Sequence, residues 1–138
     1  MKKQIVYTLG VWDLIHVGHL NIIKTARRFG DFLIVGVCCD DLVTSQKGRP
    51  PTINEYNRME MVRSIRYVDD VFLYTDPDQT KQLKLFQPDI FVIGEDFGSQ
   101  GVPEHQLAIS HAISNNIEIK RVNRLEGISS TYIKRHLG

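Results

Sequence analysis

The stretch Phe32-Leu33-Ile34-Val35-Gly36-Val37-Cys38-Cys39 is apolar from end to end. A run of strand length without alternating polar residues suits a strand buried on both faces, as in a parallel sheet covered by helices. The flanking segments agree. Ile5-Val6-Tyr7-Thr8 is a β-prone run ending at Gly10, and residues 20–29 repeat apolar side chains at helical spacing before Gly30 closes the helix. Further strands are predicted at 71–74, 90–93 and 117–122, and further helices at 55–67, 81–86, 104–115 and after Ser129. Strands alternating with helices imply an α/β fold: one doubly wound parallel sheet with helices on both faces, a single domain over residues 1–138, with ligands beyond the carboxyl ends of the strands.

Two segments carry more specific expectations. Ser45-Gln46-Lys47-Gly48-Arg49-Pro50-Pro51 lacks apolar periodicity and is rich in breakers, so it reads as an exposed loop. Asn54 is placed to cap the helix at 55–67, whose Met59, Val62 and Ile65 form the apolar face and whose Arg58, Arg63 and Arg66 form the other.

The chain's 138 residues and formal charge of +1 bound the partners. A nucleic acid or an anionic membrane is normally met by a basic excess, which is missing, so neither is expected and any phosphate binding must be local. Lys2 and Lys3 precede no apolar stretch of signal-peptide length, and no span approaches transmembrane length. Cys38 and Cys39 are adjacent, which suits neither a disulfide framework nor spaced zinc ligands. The expectation is a reduced, cytoplasmic protein.

The chemistry is concentrated where the first strand turns into the first helix. Asp13, His16, Gly18 and His19 follow that strand, and a helix N-terminus favours anions through its unpaired N–H groups and its dipole. The three-residue step between the histidines brings both rings to nearly one helical face, suited to adjacent phosphates. Near the C-terminus, Ser129, Ser130 and Thr131 follow Gly127 at a helix start, where hydroxyls cap the helix and donate to phosphate oxygens.

Gly10-Val11-Trp12-Asp13-Leu14-Ile15-His16-Val17-Gly18-His19 resembles the HxGH signature of the nucleotidyltransferase superfamily, which includes cytidylyltransferases and pantetheine-phosphate adenylyltransferase. Arg124-Leu125-Glu126-Gly127-Ile128-Ser129-Ser130-Thr131 resembles the RTEGISTT motif of cytidylyltransferases, and Ile65-Arg66-Tyr67-Val68-Asp69-Asp70-Val71 resembles their IRYVDEV segment. Val11 stands where that family has threonine or cysteine, leaving only a backbone contact, and Trp12 replaces a phenylalanine but keeps an aromatic surface.

The resemblance implies a Rossmann-like sheet and transfer of CMP from CTP to a small phosphorylated alcohol, glycerol 3-phosphate first. The 47–51 loop looks nearer to the ethanolamine-phosphate enzymes, and an ATP-dependent adenylyltransferase and a silent nucleotide-binding module are the alternatives. By the same resemblance, Gly10, Val11, Trp12, His16, Gly18 and His19 contact nucleotide, with His16 and His19 stabilising the transition state and the departing pyrophosphate. Lys47 contacts the α-phosphate, with Arg49 a weaker candidate beside it. Arg58, Arg66 and Arg124 fall at ligand-contacting arginine positions, Arg63 matches none, and Lys81 resembles a lysine that binds the second substrate's phosphate. Mg²⁺ is implied on the triphosphate, with Asp13 orienting a histidine or a metal-bound water. Gly94-Glu95-Asp96-Phe97 resembles the GDDW segment, and Asp96 is assigned to substrate. Asp69 lies in a segment that packs at the dimer interface of relatives, implying a homodimer. His105, His111 and His136 match no motif and read as surface or structural, while Tyr67, Phe72 and Tyr74 read as core or interface.

Overall fold

The computed structural model describes residues 2–123. The chain runs β1 (Ile5–Gly10), α1 (Val17–Arg28), β2 (Phe32–Cys38), α2 (Asp40–Lys47), α3 (Glu55–Arg63), β3 (Asp70–Tyr74), α4 (Thr80–Phe86), β4 (Ile90–Gly94), α5 (Pro103–Ser114) and β5 (Glu118–Val122). All strand pairs are parallel, in the order β3-β2-β1-β4-β5. The expected doubly wound α/β sheet is therefore present. The chain builds outward from β1 to β3, then returns to the other side of β1 for β4 and β5.

Alternation along β1 divides the core. Val6 joins Ile23 and Ala26 of α1 and Val62 of α3 on one face, while Tyr7 joins Leu83 of α4 and Ala108 and Ala112 of α5 on the other. β2 is buried along nearly its whole length, as its uninterrupted apolar run requires. Gly36 is its one position without a side chain. A Cβ there would lie 2.5 Å from the Tyr7 hydroxyl, so the glycine lets the phenol pack against the β2 backbone. Gly36→Ala is expected to destabilise the protein in urea unfolding. Overpacking costs about 1–3 kcal/mol, and alanine's conformational advantage over glycine, roughly 0.5–1 kcal/mol, offsets only part of it. An unchanged midpoint would mean that the phenol has room to move aside.

Three expectations are corrected. The 45–51 segment is not all loop: α2 extends through Lys47, and Gly48 ends it in the left-handed conformation at φ 76°. A helix of eight residues that buries only Val43 offers no periodicity to read; that valine packs with Cys38 and Tyr74. Secondly, α3 stops at Arg63 with Ser64 as C-cap, so Arg66 lies beyond the helix rather than on it. Asn54 does cap α3, accepting the Asn57 N–H at 2.9 Å. Thirdly, Arg58 belongs to the buried face, since it is four residues before Val62 and both are fully inaccessible.

Asp69 serves the chain's own fold, accepting the Leu33 N–H at 2.8 Å and pairing with Arg27 Nε at 3.2 Å. Both cysteines are free and buried, and burial pushes the Cys38 thiol up to about 11, away from the reactive thiolate. No helix among the described residues is long and apolar enough to cross a membrane.

Candidate active site

The strand order reverses between β1 and β4, and a doubly wound sheet opens a crevice at such a point beyond the carboxyl ends of its strands. Two adjoining hollows lie there. A smaller one of about 350 Å³ is lined by residues including Asp13, His19, Lys47 and Arg49. A larger one of about 400 Å³ is lined by residues including Gln79, Glu95, Asp96, Gln100 and His105. Both share Leu9, Gly10, Val11, Ile22 and Gly94, the ends of β1 and β4 and one residue of α1.

The loop from β1 to α1 is strained and heavily braced. Trp12 and Leu14 adopt left-handed φ values of 59° and 52° without being glycine. Such residues cost of order 1–3 kcal/mol each and persist only where the surroundings over-determine them. Here the surroundings do so. Trp12 is buried, and its indole Nε1 donates to Gly36 O at 2.9 Å. Asp13 accepts the N–H groups of Thr52 and Ile53 through its two oxygens, at 2.8 and 2.9 Å. Arg58 donates to Val11 O at 2.7 Å, Cys38 O at 2.8 Å, Ile53 O at 2.8 Å and Asp40 Oδ1 at 2.6 Å. One buried guanidinium thus ties the end of β1, the end of β2, the start of α2 and the segment before α3 together.

The two histidines are held by the helix start itself. His16 is the N-cap of α1, and its Nδ1 accepts the Gly18 N–H at 3.0 Å. His19 reaches back so that its Nδ1 accepts the His16 N–H at 3.1 Å, completing a capping box made of two imidazoles. Their ring centroids are 4.0 Å apart, and the Trp12 ring meets His19 edge-on at 5.6 Å. A ring nitrogen that accepts an N–H carries no proton, so each neutral ring has its proton on Nε2. The two rings, tilted by 34° to one another, thereby sit together at a helix N-terminus.

The structure brings Gly10, Val11, Trp12, Asp13, His19, Lys47 and Arg49 around the smaller hollow, with His16 and Gly18 at the adjoining helix start. Asp96 lines the larger hollow beside Glu95. Other assigned residues lie elsewhere. Arg58 is 0% exposed and committed to protein acceptors, so in this arrangement it braces the site. Arg66 precedes β3, at the amino edge of the sheet, where it donates to the Tyr67 hydroxyl at 2.8 Å and lies over that ring. Lys81, near the start of α4, pairs with Asp76, which raises the Lys81 pKa and lowers that of Asp76. Arg63 pairs with Glu60 on the surface of α3. Arg124, Glu126, Gly127, Ile128, Ser129, Ser130 and Thr131 lie outside the described residues, as does His136.

Several lining residues escaped the sequence reading. Gln79 and Gln100 carry no motif, and an isolated polar residue gives no period from which to infer that it faces a cavity. His105, expected on the surface or in a structural role, lines the larger hollow. Its ring stacks on Phe97 at 3.9 Å, and its Nδ1 accepts the Gly98 N–H at 3.1 Å. Burial lowers its pKa, against a smaller opposing pull from Glu104. Arg121 Nη1 braces the same loop by donating to Gly94 O at 3.0 Å and Phe97 O at 2.8 Å.

Comparison with known proteins places the chain among relatives. The family model described as "Cytidylyltransferase-like" matches residues 7–136. The chain is 43% identical over 88 residues to an FAD synthase of Pyrococcus abyssi, a match covering 63% of this chain and 60% of that protein. It is 32% identical over 137 residues to the bifunctional protein HldE of Helicobacter hepaticus, covering 98% of this chain and 28% of that one. The matches therefore span less than two thirds of either relative. Among solved structures, the lipopolysaccharide core biosynthesis protein from Thermoplasma volcanium GSS1 superposes with a TM-score of 0.76 at 26% identity, covering 91% of this chain and 100% of that one. With its family signature running through nearly the whole sheet, this chain belongs to the cytidylyltransferase-like family of the nucleotidyltransferase superfamily.

Proposed function

We propose that the chain transfers a nucleoside monophosphate from a nucleoside triphosphate to a phosphorylated small molecule. The observation that carries this reading is the imidazole pair at the start of α1, each Nδ1 accepting a backbone N–H at the same helix N-terminus. A phosphate oxygen of the acceptor attacks the α-phosphorus in line; its bond to phosphorus forms as the bond to the bridging oxygen breaks, and pyrophosphate departs. The transition state gathers negative charge on phosphate oxygens. His16, His19, Lys47 and the N-terminus of α1 supply fixed donors and positive potential there, so catalysis is positioning and charge stabilisation rather than covalent chemistry.

Mg²⁺ belongs to the same reading. Among the described residues no group of three or more His, Cys, Asp or Glu side chains gathers as a metal cage. That donor set fits an ion that arrives on the triphosphate and keeps most of its shell as phosphate and water oxygens. Bound there, the ion would neutralise triphosphate charge; Asp96, which lines the larger hollow, is assigned to substrate.

CTP is the nucleotide we favour, because residues 124–131 resemble the cytidylyltransferase motif, with glycerol 3-phosphate the first acceptor to try. ATP is the second reading, favoured by the 43% identity to an FAD synthase, since FAD carries an adenylyl group. Incubation with CTP, Mg²⁺ and a panel of phosphorylated alcohols is expected to release pyrophosphate only when both substrates are present. A parallel arm supplies ATP with FMN. Turnover with ATP alone would overturn the cytidine preference, and no pyrophosphate from any pair would overturn the transferase reading.

A further inference from the structure

The larger hollow contains a buried amide whose orientation is dictated by the core. Gln79 is the N-cap residue of α4 and only 1% exposed, yet its side chain makes no capping bond and it lines the hollow. Its Oε1 accepts the Tyr7 hydroxyl at 2.7 Å. Tyr7 is fully buried, and burial raises its pKa well above the ordinary range, so the phenol keeps its proton and must act as the donor. With Oε1 turned to Tyr7, the amide offers Nε2 on its opposite side.

No described residue accepts from that Nε2. The buried side-chain polar atom left without a partner among the described residues is Thr80 Oγ1, not Gln79 Nε2, and Gln79 lines the hollow. Enclosing an amide N–H without an acceptor costs about 1–3 kcal/mol, so a ligand acceptor there has a ready partner.

The walls narrow what that ligand is. Among the described residues the larger hollow is lined by Glu95 and Asp96 but by no lysine or arginine, whereas the smaller one has His19, Lys47 and Arg49 beside one carboxylate, Asp13, whose two oxygens accept the Thr52 and Ile53 N–H groups. Carboxylates repel phosphate, so the phosphates go to the smaller hollow and an uncharged portion of substrate to the larger.

We propose that Gln79 is a specificity-determining residue of the larger hollow, where its Nε2, held in place by Tyr7, donates to a carbonyl, ring-nitrogen or hydroxyl acceptor on the uncharged part of the substrate. This rests on the nucleotidyl-transfer reading. The acceptor atom belongs either to the nucleoside or to the alcohol of the second substrate, and binding measurements separate the two.

Calorimetric dissociation constants for CTP, ATP, glycerol 3-phosphate and inorganic pyrophosphate are to be compared in the wild-type chain, Gln79→Leu and Tyr7→Phe. Gln79→Leu is expected to weaken one class about tenfold, the loss of one well-placed hydrogen bond. It should leave pyrophosphate, which reads the smaller hollow, within about twofold. Weakened CTP or ATP assigns the contact to the nucleoside; weakened glycerol 3-phosphate assigns it to the acceptor. Tyr7→Phe retains the amide but frees it to turn, and is expected to narrow the ratio of affinities within the class that Gln79 reads. A folded Gln79→Leu that binds all four ligands as the wild type does, or that weakens pyrophosphate equally, overturns the proposal. If that variant does not fold, an unchanged set of ratios in Tyr7→Phe overturns it instead. A wild-type chain that binds CTP or ATP without releasing pyrophosphate sinks the transfer reading and leaves this binding test standing; one that binds neither nucleotide nor acceptor overturns both.

Discussion

His16→Asn is expected to lower turnover by about 10²–10³-fold, the usual effect of removing one donor aimed at transition-state charge, while leaving the urea unfolding midpoint near the wild-type value. The asparagine Oδ1 occupies the place of Nδ1, so it still accepts the Gly18 N–H and caps α1. What is lost is the proton on Nε2. His16→Ala removes both, and is expected to add a stability loss of about 0.5–2 kcal/mol from the missing cap to the same fall in turnover. The pair of variants separates the fold's use of this ring from the chemistry's use of it. An asparagine variant with near wild-type turnover would show that His16 acts only as a cap.

Removing the Arg58 guanidinium should produce the largest loss of stability. Arg58→Ala leaves Val11 O, Cys38 O and Ile53 O without their donor and Asp40 without its partner. Each buried carbonyl left without its donor costs about 1–3 kcal/mol, the half-exposed Asp40 adds less, and the vacated volume adds a cavity. Arg58→Lys is the more informative change. One ammonium cannot reproduce a planar fork that reaches three carbonyls and a carboxylate. The lysine variant is expected to lose about 1–3 kcal/mol through unsatisfied buried acceptors, and to weaken nucleotide binding because Val11 and the 52–53 segment lose their common anchor. Urea unfolding and calorimetry with CTP check the two effects. A lysine variant with wild-type stability and affinity would remove Arg58 from the account of how the site is held.

Much of the site was legible because its parts are local. His16, Gly18 and His19 act through one helix start, and a capping box needs only residues three apart, so sequence spacing alone brings the two rings together. The same holds for Asn54, which caps the helix immediately after it. Lys47 was assigned by resemblance and does line the hollow with His19, but as the end of a helix rather than in a loop, because one buried valine is too little pattern to reveal α2. Arg58 shows the opposite failure. Its charge suggested an exposed or ligand-facing residue, whereas its position on α3 turns it into the core, where it is satisfied by Ile53 just before the helix and by Val11, Cys38 and Asp40 from distant parts of the chain.

By itself the sequence determined the doubly wound sheet and the helix start that joins His16 to His19, since hydrophobic periodicity and helix capping depend on neighbours within a few residues. Only the tertiary structure decided that Gln79 and His105 line a second, acidic hollow, that Trp12 is a buried brace, and that Arg66 lies at the far edge of the sheet. Those assignments depend on which backbone carbonyls, N–H groups and side chains from separate strands come within about 3 Å of one another, and no local pattern encodes such long-range pairings.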